Sequence, residues 1–138
     1  MNNLSFHITD ITANSIRANA SEIGLSVEEQ DARIVIRITD NGSGMDAETA
    51  RRVTNPFYTT RTTRKVGLGL PFLIQNAEQT GGSVTLTSEP GKGTEVRAVF
   101  HSDHIDCPPW GDLPGTVALL ITGNPEINVC FEYRSGET

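Results

Sequence analysis

Asp40 stands where an alternating apolar segment ends, and glycines follow it at positions 42 and 44. A carboxylate fixed there can accept a hydrogen bond from the exocyclic amine of adenine, a donor that guanine does not present at the same place. Gly42 and Gly44 let the backbone turn tightly beside a ligand. An Asp-Asn-Gly turn between a strand and a helix is also a plain structural device, so this segment alone leaves both readings open. A second segment, Lys65-Val66-Gly67-Leu68-Gly69-Leu70-Pro71, sets Gly67 and Gly69 just before a helix whose first amides lack intrahelical partners. Such a helix start is an anion site, or simply a way to begin a helix. It is neither a Walker A loop nor a dinucleotide fingerprint. A third pair, Asp10 and Asn14, lies one helical turn apart. An amide oxygen can join phosphates and water around Mg²⁺, and a carboxylate one turn away can orient or deprotonate an attacking group. For each of these two residues the plain alternative is a solvated helix face.

The elements that must hold these residues follow from periodicity. Leu4, Ile8, Ile11, Ser15 and Ala18 recur at helical spacing and predict a helix over 4–20, with Asp10, Asn14 and Arg17 on a polar stripe that also takes His7. Alternation predicts strands over 22–27 and 33–39, joined by a turn over 28–32 into a hairpin. Residues 46–53 have helix-forming composition, and 55–66 show no periodicity and read as a loop. Leu70, Leu73, Ile74 and Ala77 restore helical spacing, with Pro71 in a first turn and Gly81-Gly82 as the stop. Strands over 83–88 and 94–101 flank a tight turn at Glu89-Pro90-Gly91-Lys92-Gly93. Beyond a Pro- and Gly-rich connector, 117–121 suits either helix or strand, and 128–133 suits a strand.

Composition narrows the classes. The 138 residues suit one domain with its own core, 36% hydrophobic and 20% charged. No apolar run approaches the roughly 18 residues that span a bilayer, and the N-terminus carries no secretory pattern, so the expectation is a cytoplasmic protein without a membrane. A net charge of -6 opposes non-specific binding to nucleic acid. Yet Arg51, Arg52, Arg61, Arg64 and Lys65 supply five of the eleven Lys and Arg residues, a clustering that suggests a local anion site, with a solvated basic loop as the plain alternative. Cys107 and Cys130 read as buried or free thiols. His101, His104 and Cys107 recur at three-residue intervals but give too few ligands for a closed zinc site.

Taken together, Asp10-Ile-Thr-Ala-Asn14-Ser-Ile-Arg-Ala-Asn-Ala20, Asp40-Asn-Gly-Ser-Gly44, Gly67-Leu-Gly69 and Gly91-Lys-Gly-Thr94 resemble the ordered motif series of the histidine-kinase-like ATPases, the GHKL or Bergerat-fold superfamily. The resemblance covers residues 4–100 and leaves 101–138 as an extension of unassigned packing. It implies an α/β fold, a two-layer sandwich with helices packed on a mixed sheet. It further implies ATP and Mg²⁺ as ligands, with Asn14 on the metal, Asp40 on the adenine amino group, and Gly42 and Gly44 opening the base pocket. On the same grounds Gly67 and Gly69 would lie near the phosphates and Thr94 near the adenine. A lid over 55–66 would bring Arg61, Arg64 and Lys65 to the γ-phosphate. The stretch Asn55-Pro56-Phe57-Tyr58-Thr59-Thr60 with Gly67-Leu68-Gly69-Leu70 is similar to the kinase branch. Asp10 departs from the common pattern, which has glutamate there, and the shorter reach puts turnover in question while leaving binding intact. The residues before Leu4 are too few for the histidine-bearing helical hairpin of a sensor kinase, and His7 sits on the ATP-binding helix itself. The expectation is a kinase-like regulator that phosphorylates or controls a separate protein. An ATPase switch and a non-catalytic ATP sensor are the alternatives, and a homodimer stays open.

Overall fold

The computed structural model describes residues 3–44, 69–105 and 107–135. Five strands form one mixed sheet: β1 (Glu22–Gln30), β2 (Arg33–Asp40), β3 (Ser83–Glu89), β4 (Gly93–His101) and β5 (Asn128–Ser135). Their order across the sheet is β3-β4-β2-β1-β5, antiparallel except that β5 runs parallel to β1. Helices α1 (Leu4–Arg17), α2 (Gly69–Gln79) and α3 (Leu113–Gly123) supply the second layer. This is the helix-on-mixed-sheet architecture that the motif series implies.

Strand alternation puts Leu25, Val27, Ile34, Ile36, Ile38, Val96, Ala98 and Phe100 on the sheet face that the helices cover. Against them pack Leu4, Ile8 and Ile11 of α1, Leu73 and Ala77 of α2, and Val117 of α3. Helices α1 and α2 thus each turn an apolar stripe to one sheet face, which is the condition for a two-layer core.

Several expectations need correction. The first helix stops at Arg17 rather than at 20: Ala18 caps it and Asn19 takes a left-handed conformation, φ 64°. The first strand continues to Gln30, because the turn needs only Asp31 and Ala32, both at positive φ, 54° and 60°. His7 does not lie on the polar stripe. It is 1% exposed, accepts a 2.8 Å hydrogen bond at Nε2 from Asn76 of α2, and has its ring centroid 6.4 Å from that of Phe100. Over 117–121, where the sequence suits helix or strand alike, the structure is helical, opened by Asp112, whose side chain accepts from the Gly115 amide.

Residues 107–135 of the segment beyond the motif series are woven into this frame. Pro109 and Trp110 accept from the first-turn amides of Leu4 and Ser5, so the connector satisfies donors that α1 cannot. Ser5 Oγ adds a 2.6 Å bond to the Trp110 carbonyl. Strand β5 then completes the sheet beside β1. Cys107 and Cys130 are free thiols.

Candidate functional site

The carboxyl end of β2 is the point where three of the motif segments meet, those of α1, Asp40–Gly44 and Gly91–Thr94. Asp40 lies opposite Thr94 in the β2–β4 register and opposite Ile23 in the β1–β2 register. It continues the Ile34, Ile36, Ile38 series, so its side chain leaves the sheet on the helix-covered face. There its two carboxylate oxygens are fixed separately: Oδ2 accepts from Ser15 Oγ of α1 at 2.6 Å, and Oδ1 accepts from the Gly42 amide at 2.9 Å. Each oxygen keeps a further lone pair, so an oriented acceptor remains at the end of the sheet. Thr94 on the same face exchanges a 2.8 Å bond with Ser88 of β3. Asp40, Thr94 and Ser88 therefore form a polar row across three strands where the apolar core ends.

The loop after Asp40 is held from both sides by backbone. Ser43 donates to the Ala18 carbonyl at 2.9 Å, and Gly91 in the β3–β4 turn donates to the Ser43 carbonyl at 2.7 Å. Asn41 accepts from the amides of Ser21 and Glu22. Two glycines permit this closeness. Gly44 has φ 74°, and a Cβ there would lie 2.0 Å from the Glu89 carbonyl oxygen; Gly93 has φ 120°, and a Cβ there would lie 2.0 Å from the Asp40 carbonyl oxygen. Gly93→Ala therefore strains its own backbone and pushes β4 away from Asp40. The expected loss of stability is on the order of 3 kcal/mol. A urea-unfolding midpoint equal to that of the unmodified chain would contradict this account of the loop.

On α1, Asp10 and Asn14 share the partly exposed stripe. Arg17 donates to the Asn14 carbonyl oxygen, which keeps a second lone pair. Burial pushes the Asp10 carboxyl above its ordinary range, and the Arg17 guanidinium draws it partly back. Asn14 adjoins Ser15, so α1 ties the Asp10–Asn14 stripe to the Asp40 carboxylate through one side-chain bond. Gly69 is the first residue of α2. Arg61, Arg64, Lys65 and Gly67, like the helix expected over 46–53 and the lid over 55–66, lie outside the described residues.

Two residues with a role here escaped the sequence reading. Ser15 recurs with the core stripe and is buried at 2% exposure, but its hydroxyl holds Asp40. Gly93 figured only as part of a turn. Its positive φ and its approach to Asp40 appear once β2 and β4 are paired. No cluster of His, Cys, Asp and Glu suited to a metal occurs among the described residues.

Residues 3–104 match the family described as histidine kinase-, DNA gyrase B-, and HSP90-like ATPase. The chain belongs to this family. Its similarity to individual members runs toward the kinases. It is 29% identical over 104 residues to the sensor histidine kinase YxdK of Bacillus subtilis, covering 70% of this chain and 32% of that protein. It is 30% identical over 101 residues to sporulation kinase C of the same organism, covering 72% and 23% respectively. A putative sensor protein of Shewanella frigidimarina is 40% identical over 67 residues, 48% of this chain and 10% of that protein. The chain thus spans a third or less of the length of these relatives. The GHKL domain is an ATP-binding fold related to histidine kinases, with the generic capacity of that fold for ATP and Mg²⁺. No helix among the described residues is long and apolar enough to cross a membrane.

Proposed function

We propose that the chain is an ATP-dependent kinase-like regulatory module that transfers phosphate to, or controls, a separate protein. The observation that carries the reading is the doubly held carboxylate of Asp40 beside Thr94, joined through Ser15 to the helix that bears Asn14 and Asp10. In this reading Asp40 accepts from the adenine amino group, Thr94 borders the base, and the fixed loop from Gly42 to Gly44 shapes that pocket. The oxygen donors fit the hard cation: the Asn14 amide oxygen is its ligand, with phosphate oxygens and water completing the shell. Mg²⁺, when bound, supplies neutralisation of phosphate charge. Gly67 and Gly69 offer backbone amides near the phosphates, and Arg61, Arg64 and Lys65 offer positive charge toward the γ-phosphate.

Asp10 is the group that orients the acceptor or takes its proton. The burial that raises its proton affinity suits a base, since a carboxylate at its ordinary value holds a proton weakly. Asp10→Asn keeps the shape and removes the proton acceptor. With γ-labelled ATP, Mg²⁺ and candidate proteins encoded beside this one, label is expected on a partner, and Asp10→Asn lowers transfer by about 100-fold or more while ATP affinity hardly changes. Tight ATP binding with steady phosphate release and no labelled protein would overturn the kinase reading in favour of an ATPase switch. Binding with neither outcome would leave a nucleotide sensor.

A further inference from the structure

The sheet edge formed by β5 is charged on one face and largely apolar on the other, where the Tyr133 hydroxyl donates to Glu29 of β1 at 2.6 Å. Val129, Phe131 and Tyr133 lie level with the core residues Ile23, Leu25 and Val27 of β1, hence on the helix-covered face. Phe131 and Tyr133 nevertheless stay 38% and 48% exposed. Helix α3, which packs at this same end, contains no charged residue, and its Leu119 and Ile121 are 73% and 46% exposed. A helix apolar on both sides belongs inside a larger core. Strand β5 also offers the outer row of its backbone donors and acceptors, with no proline or bulge to blunt it.

Charge along β5 selects the occupant. On the open sheet face, Glu132 and Arg134 stand two residues apart, 3.9 Å between their charged groups. If a second β5 paired antiparallel across a two-fold axis at Tyr133, Glu132 would face the other copy's Arg134 on both sides of the axis. Centring on Glu132 or on Arg134 would instead set like charges opposite each other, which is unfavourable. The Tyr133-centred register also turns the helix-covered faces of both copies the same way, so the two α3 helices flank one seam. We infer that β5 and α3 form a homodimer interface in which two sheets join edge to edge through antiparallel β5 pairing centred on Tyr133.

Sedimentation equilibrium of the full chain, from low micromolar to near-millimolar concentration, tests this. The expected mass is twice 14.9 kDa. Glu132→Arg sets Arg against Arg and is expected to return the chain to a monomer with an unchanged circular dichroism spectrum. Adding Arg134→Glu exchanges the charges and restores the dimer. Leu119→Lys likewise yields a monomer. A native chain that stays monomeric throughout overturns the inference. So does a dimer that survives both Glu132→Arg and Leu119→Lys, or a charge-exchanged double variant that remains monomeric. None of these outcomes depends on whether ATP binds.

Discussion

Asp40→Ala is expected to bind ATP more weakly than the unmodified chain by about 1–3 kcal/mol, equivalent to roughly 5- to 150-fold in Kd. Under the proposed function the loss would arise because a desolvated adenine amine is left without its acceptor, and an unmade hydrogen bond costs more than a made one contributes. The same substitution removes the acceptor of the buried Ser15 hydroxyl and of the Gly42 amide, so some loss of stability accompanies it. Asp40→Asn separates the two effects. With its oxygen turned to the Gly42 amide and its NH₂ to Ser15 Oγ, which can accept, it keeps both partners bonded while losing the charge and one acceptor, so ATP affinity is expected to fall and the discrimination against GTP to narrow. Titration calorimetry on the folded variants reads both quantities. Unchanged ATP affinity in a folded Asp40→Ala protein would remove Asp40 from the base pocket.

The second large effect is on stability and comes from His7. Burial lowers its pKa from 6.5 to about 4. The cause is visible in the packing: the ring is enclosed against Phe100, and its Nε2 already accepts from Asn76, so an added proton would set donor against donor. An unfolded chain takes up this proton as pH falls through 6.5, whereas the folded chain resists it until about 4. Between those values the unfolded state binds more protons, so stability declines as pH falls and levels off below the folded value. The loss is on the order of 3 kcal/mol across that interval. His7→Gln keeps an acceptor for Asn76 and cannot titrate. Urea midpoints of the two chains between pH 6.5 and about 4 should therefore diverge, with the steeper fall in the unmodified protein. Parallel curves would show that His7 titrates in the fold as it does in water.

His7 also shows where sequence reading stops. Its position suits the core, three residues after Leu4 and four before Ile11, but its polarity argued for the solvated stripe. Only Asn76 on another helix supplies the partner that lets it be buried. The strands were legible because Ile23, Leu25, Val27 and Ile34, Ile36, Ile38 alternate with polar residues, and that pattern is local. Motif positions were legible because Asp40 and its glycines fall at the end of such a strand. The link that unites the site, Ser15 to Asp40, spans 25 positions and has no local signature. Strand β5 presents the same difficulty on a larger scale. Its residues read as a strand, but pairing parallel to β1 joins segments from opposite ends of the chain, and this requires a crossover that periodicity does not encode. Ends of elements shifted for a simpler reason. Gln30 and Arg33 are polar, yet their backbones still complete the ladder, so β1 extends past its last apolar residue.

The fixed Asp40 carboxylate as an adenine acceptor is the claim from which the rest follows, and the base preference of the unmodified chain tests it most directly. Calorimetric titration with ATP and, separately, with GTP, each with Mg²⁺, is predicted to give saturable one-to-one binding of ATP and GTP binding weaker by at least about tenfold, or roughly 1.4 kcal/mol. Equal affinity for the two nucleotides, or no binding of ATP, would contradict it.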